Sequence, residues 1–282
     1  MRQSLIYSRA ATNTVLSVDD IMQRAPAVFA EDKAARLTNR YHSLKTSDLL
    51  PVLADYGYQP VQAAQKRARK GKPEHTAHLL AFAREADVNT TGDVRSELLV
   101  YNSHDGTSGV KCMAGAYRFV CSNGIVNGNG NTVSVRHTHK AMEDFEAMLR
   151  SIIEGVPDMM NTIEAMRQRK VDEEQARKFA KRAVMLRWDY LNGAYVPDET
   201  PTGSYADSTT VTQALTAQRS SDTLTDAWTV FNRVQENVLR GNVFIKSITD
   251  KNGLRERKAR PIASISEHVA VNQSLFDLAE VL

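Results

Sequence analysis

The chain has 282 residues, 42% hydrophobic and 24% charged, with a formal net charge of +3. These proportions suit a water-soluble protein with one large core or two modest ones. They exclude a globally basic nucleic-acid binder, so any cationic footprint must be local.

Residues 1–17 are polar and read as a mobile or loosely docked arm. Residues 17–32, SVDDIMQRAPAVFAED, predict a short helix with Ser17 as N-cap, Asp19 and Asp20 in its first turn, and Pro26 limiting it. TSDLLPVLADYG (46–57) repeats the pattern, with Thr46 or Ser47 as cap and Gly57 as stop. Extended segments follow at 58–69, 75–85, 95–102, 110–123 and 131–139, joined by GKP, VNTTGD, SHDGTSG and GIVNGNG. Connections this short imply an antiparallel sheet, and partial alternation implies one buried face covered by the helices that follow.

Apolar residues from Met142 to Val156 at spacings of three and four draw a helical stripe over 141–171, interrupted by Gly155 and Pro157. A helix over 172–188 starts acidic and ends basic. A Pro/Gly/Ser/Thr loop covers 193–210, an amphipathic helix 223–241 ends at Gly241, and a basic tail leads to a last short helix. The expected fold is α+β: a central antiparallel sheet packed against long helices, with a helical C-terminal half. The expected regions are the arm 1–17, an α+β core 18–171, and a helical region 172–282 with a basic tail.

His104 and Asp105, in the loop YNSHDGTSG, are the first candidates for chemistry. Neighbours on an extended backbone point opposite ways, so they make no base–orienter pair, and no nucleophile elbow accompanies them. Asn102, His104, Asp105 and Gly106 read instead as turn formers, and Asn123 and Gly124 as the next turn. His137 and His139 would share a strand face, but no third ligand is patterned with them; they read as surface histidines, and no metal is expected. Cys112 and Cys121 form no CxxC and read as buried thiols. GIVNGNGN lacks the Lys-Ser/Thr and the following helix of a phosphate loop, so no cofactor is expected.

The cations are more informative. Lys66, Arg67, Arg69, Lys70 and Lys72 face one acid, Glu74, and a second concentration contains Lys246, Lys251, Arg255, Arg257, Lys258 and Arg260. Positive hairpins beside a sheet suit single-stranded DNA, with Lys111, Arg118 and Arg136 adding charge and Tyr101 and Tyr117 stacking bases.

LLVYNSHDGTSGVKCMAGAYRFVCSNGIVNGN, DIMQRAPAVFAEDK, YGYQPVQAAQKRAR and FNRVQENVLRG resemble the matching blocks of a phage/plasmid-like family, domain of unknown function 932. The resemblance implies a setting on prophages and conjugative plasmids, and work in replication, recombination, strand transfer or evasion of host defence. The expected architecture also resembles that of the RecT/Redβ/Erf annealing proteins, which implies a ring or filament around single-stranded DNA.

The leading expectation is a non-catalytic, oligomeric single-stranded-DNA-binding factor for annealing or recombination. The rival is a counter-defence protein that binds a host enzyme, and a third option is a hydrolase using His104, Asp105 and His139. The longest apolar runs are too short for a bilayer, the N-terminus lacks a secretory apolar region, and two cysteines suit a reducing compartment; the expected location is cytoplasmic, with no membrane partner.

Overall fold

The computed structural model describes residues 14–35, 37–38, 41–66, 73–89, 93–118, 123–126, 132–192, 203–248 and 254–282. The chain forms two compact units, one ending at Met160 and the other beginning at Asn161. The division lies inside a long helix, eleven residues before the expected boundary at 171.

In the first unit, helix α1 (Val18–Arg24) begins with a reciprocal cap between Ser17 and Asp20, and Ala25 and Pro26 end it. Leu16 is buried, and its N–H donates to the Pro60 carbonyl (2.7 Å), so the described end of the N-terminal arm is docked. Helix α2 (Leu49–Asp55) starts after Asp48, which makes no side-chain capping bond; Thr46, an expected cap, is used elsewhere.

The sheet then runs through β1 (Tyr58–Gln65), β2 (His78–Arg84), β3 (Val94–Asn102), β4 (Val110–Arg118), β5 (Asn123–Val126) and β6 (Thr132–Val135). All pairings are antiparallel, in the order β1-β2-β3-β4-β5, and β6 also pairs with β4. Six strands therefore replace the five expected: 110–123 is not one strand, and Asn123 and Gly124 pair with Arg118 and Tyr117 instead of forming a turn. Pro60 is tolerated because β1 is at the edge, where the register also shifts. Gly109 lets β4 approach β6, since a Cβ there would lie 2.3 Å from the Val135 carbonyl oxygen.

Nearly every residue of β2, β3 and β4 is buried, on both faces, which corrects the expectation of one buried face. Such strands read as continuous apolar runs, as HLLAF and ELLV do. Helix α3 (Ala141–Gln168) then runs uninterrupted through Gly155 and Pro157. Phe145, Leu149, Ile152, Val156, Met159 and Ile163 keep its buried stripe continuous across the proline, so packing outweighs the one backbone bond that Pro157 cannot donate.

The second unit contains α4 (Glu173–Met185), β7 (Asp189–Tyr190), β8 (Ser204–Ala206), α5 (Ser208–Ala214), α6 (Ala227–Arg240), β9 (Phe244–Ile248), β10 (Leu254–Lys258) and α7 (Ile265–Glu280). Beside the helices of this C-terminal half, its strands form a small sheet in the order β10-β9-β8-β7. Helix α6 buries every residue except Arg233 and Arg240 and is the axis of this unit. Phe231 meets the rings of Trp228 and Phe276 at centroid distances of 5.8 Å each.

Candidate functional site

The turn between β3 and β4 is built from its side chains. Gly106 takes φ +75°, and Asp105 accepts from the Thr107 N–H (2.9 Å) and hydroxyl (2.6 Å). His104 turns inward and is fully buried, with Nδ1 3.2 Å from the Ser43 hydroxyl.

Around it lies a connected polar network in the first unit. The Thr76 carbonyl can only accept, so His78 holds its proton on Nδ1 and donates there (3.0 Å). Nε2 of His78 then accepts from the Thr46 hydroxyl (2.7 Å), which accepts from the Asn102 amide (2.9 Å). The same amide donates to the Leu44 carbonyl (3.0 Å), while the Asn102 oxygen receives the Ser103 N–H (2.7 Å). His137 accepts from the Leu44 N–H (3.1 Å) on Nδ1, and its ring centroid is 4.6 Å from that of Tyr41. The rings of His78, His104 and His137 follow one another at 5.3 and 6.4 Å.

Burial keeps these histidines neutral. It pushes His78 down to about 4, and, with His78 and His137 nearby, His104 down to about 3. His137 is also lowered by burial, partly offset by the nearby Ser108 and Ser103 carbonyls, although its Nε2 meets no hydrogen-bond geometry. Burial first, then Asp105, pushes the Tyr41 phenol up to about 12. Imidazoles lowered this far are weak proton acceptors. Asp105 caps Thr107, and His139 is exposed. His137 is corrected from surface to buried: β6 ends at Val135, so His137 and His139 share no strand face. Among the described residues no group of three or more His, Cys, Asp or Glu side chains is placed to hold a metal. The arrangement ties segment 41–46 to the turn after β3.

Several expected nucleic-acid contacts are redirected. Tyr101 and Tyr117 are buried, so neither offers an open stacking ring. Arg118 is also buried and pairs with Asp93 (3.2 Å). Lys111 is half-buried on β4, opposite Tyr101 and Ser134, and Arg136 is exposed just after β6. Lys66 is exposed at the end of β1, and its N–H donates to the Ala77 carbonyl (2.8 Å). Arg67, Arg69, Lys70 and Lys72 lie outside the described residues, as does Cys121. Cys112 is buried in the sheet, and burial pushes its thiol up to about 12.

In the second unit, β10 is the edge of its sheet and carries Arg255, Arg257 and Lys258 around Glu256. Four of its five residues are exposed and Arg257 is half-buried, donating to the Ser204 hydroxyl (2.9 Å). Arg260 is exposed beyond the strand.

Sequence reasoning missed three features. Thr46, His78 and Asn102 are far apart in the chain; the pairing of β2 with β3 sets His78 opposite Asn102, and the segment before α2 brings Thr46 to both. Arg95 and Glu97 form a buried ion pair (2.7 Å), for which the spacing of two on a strand is the available signal. This pair occupies the Arg95 guanidinium beside a cavity of 260 Å³ lined also by Arg84, Asp87, Val156 and Pro157. In the second unit, Glu236 takes Arg219 in a two-pronged pair (2.6 and 2.7 Å) with Arg240 at 3.4 Å. Beside it, Asn237 donates to the carbonyls of Gln213, Ala214 and Thr216.

The chain has recognisable relatives. A family profile described as Domain of unknown function (DUF932) matches residues 35–276. Two Escherichia coli K12 proteins, UPF0380 protein YafZ and UPF0380 protein YfjQ, are each 30% identical over 276 residues, covering 95% of this chain and 91% of theirs. No solved structure matches. Among the described residues no helix is long and apolar enough to cross a membrane.

Proposed function

Because the chain belongs to the Domain of unknown function (DUF932) family, whose description assigns no activity, we propose from its own residues that it binds single-stranded DNA without catalysis, gripping phosphates with two basic hairpins. Strand β10 carries this reading. Three of its five residues are cations, and it stands at a sheet edge with four of the five exposed. The connection between β1 and β2 supports it, since Lys66 to Lys72 places five cations on one hairpin link. Lys or Arg at such positions neutralises phosphates and releases counterions, which makes affinity fall with salt. The buried positions of Tyr101 and Tyr117 leave the hairpins to act through charge. Assembly into a ring or filament for strand annealing belongs to the same proposal, and mass measurement with and without DNA tests it.

The test is the salt dependence of binding to a labelled oligonucleotide. Each neutralised phosphate contributes a slope of about −0.7 on logarithmic axes, so Lys66→Ala with Arg67→Ala flattens the slope by about 1.4. Absence of binding in dilute buffer overturns the proposal, and so does binding whose slope these substitutions leave unchanged.

A further inference from the structure

The second unit has an aromatic and basic corner that none of the readings above uses. Resting on the proposal that the chain binds single-stranded DNA, we infer that the corner formed by the end of α4 and β7 is a base-stacking site for single-stranded nucleic acid, with Trp188 and Tyr190 as its rings.

Both rings are half-buried, so each is held by the protein yet keeps a surface toward solvent. The other tryptophan, Trp228, is 2% exposed and belongs to the core. Each corner ring is backed by a cation: Lys181 Nζ lies 4.5 Å from the Tyr190 centroid, and the Arg187 guanidinium carbon 4.5 Å from that of Trp188. Arg187 is itself fixed, donating to the Val238 carbonyl and to the Arg260 carbonyl (2.9 Å). The Trp188 ring is therefore positioned before any ligand arrives, which spares the ordering cost of binding. The bond to the Arg260 backbone also brings the end of the basic tail to this corner, so the stacking site is continuous with cations already assigned to phosphate.

The charge around the rings is unevenly committed. Arg177 and Lys178 are paired with Glu173 (3.5 Å) and Glu174 (2.6 Å) one turn earlier on α4. Arg182 is exposed and Lys181 sits over Tyr190, and neither has an acidic partner among the described residues. Exposed Met185 (54%) and Leu186 (36%) add apolar surface beside the rings. A nucleic-acid strand meets all three features at once: bases stack on rings, apolar side chains pack against sugars and base edges, and free cations meet phosphates. An acidic protein segment would satisfy the cations and leave the rings unused.

The two tryptophans make the test direct. Trp228→Phe leaves Trp188 as the single indole; if that core replacement does not fold, wild-type emission serves, because Trp228 is shielded. Oligothymidylate is expected to quench Trp188, and polyglutamate of equal charge is not. Trp188→Ala with Tyr190→Ala is expected to weaken oligothymidylate binding by about 30-fold or more, from about 5-fold or more per ring, and leave its salt slope unchanged, with Trp188→Phe retaining part of the affinity. Full affinity in the double variant overturns the stacking site while the hairpin reading stands on its salt slope. Equal quenching by polyglutamate overturns it in favour of a protein-docking surface. No binding of oligothymidylate by the wild type overturns both.

Discussion

The two segments YNSHDGTSG, in the first unit, and FNRVQENVLRG, in the second, do the same job with different chemistry. Each buries polar side chains to hold a loop and includes a glycine with positive φ, Gly106 at 75° and Gly241 at 69°. The first uses neutral groups: Asn102, Thr46 and His78 pass hydrogen bonds in one direction and need the imidazole unprotonated. The second uses charge: Glu236, 4% exposed, holds Arg219 and Arg240, and Asn237 ties down three carbonyls of the chain after α5. A neutral network fails when a proton is added, and an ionic one fails when a partner is removed. In both, polar side chains of segments recognisable in the sequence hold local architecture.

Removing charge from the second network has the largest expected effect. Glu236→Ala removes the carboxylate that holds Arg219 and Arg240, and loss of one partner from a buried pair costs about 3–5 kcal/mol, toward the lower end here because Arg219 is 27% exposed and keeps Asp222 at 3.1 Å. Urea unfolding monitored through Trp228, which lies on the same helix, reads this cost. A loss below about 1 kcal/mol would show that Glu236 is dispensable and the contrast between the networks false.

Adding a proton to the first network comes next. Above about pH 6.5 His78 is neutral in both folded and unfolded chains, and its contribution is fully present. Between about 6.5 and about 4 only the unfolded chain takes the proton, so stability falls as pH falls, by about 3 kcal/mol for His78 across that window. His104, lowered to about 3, adds in the same direction. Stability measured from pH 7 to pH 4 is expected to drop steeply in the wild type and less steeply, by about one proton, in His78→Asn. Parallel profiles for the two proteins would remove His78 from the network's pH response.

The smallest effects separate the glycines. A Cβ at Gly241 would meet the Ala259 carbonyl oxygen at 2.5 Å, which is backbone and cannot yield cheaply. At Gly106 it would meet the tip of Leu37 at 2.5 Å, a side chain that can rotate, and at Gly57 it meets nothing within 4 Å. Substitution by Ala is expected to destabilise in the order Gly241, Gly106, Gly57, the last by only the left-handed backbone cost of about 1–2 kcal/mol. Thermal unfolding of the three variants gives the order, and Gly57→Ala as the worst of them would contradict it.

Much of this fold can be read from local pattern. Ser17 with Asp20, Asp172 with Gln175, and Asp226 ahead of Thr229 mark helix starts through hydrogen bonds made within one turn, and Gly241 marks a stop through its own φ. The strands from Tyr58 to Val135 are set off in the sequence by turn-forming residues such as Asp105 and Gly106. The pairing of β5 with β4, the small sheet of the second unit, and the burial of Tyr101, Tyr117, Arg118 and His137 are different. A half-apolar strand reads alike whether one face or two are covered, and β7 and β8, at two and three residues, are too short to leave a period. The stacking corner was missed for a related reason: Trp188 and Tyr190 carry no label separating a half-open ring from a core ring, and only their burial does.

The sequence alone determined several of the helix caps, that the central strands pair antiparallel, and where positive charge concentrates, because hydrogen-bond caps, turn dihedrals and formal charge are properties of neighbours in the chain. Tertiary structure decided which polar residues are hidden and which aromatic rings are open. That choice depends on residues such as Thr46, His78 and Asn102, or Arg187, Trp188 and Arg260, which come together only when distant segments pack and water is excluded from between them.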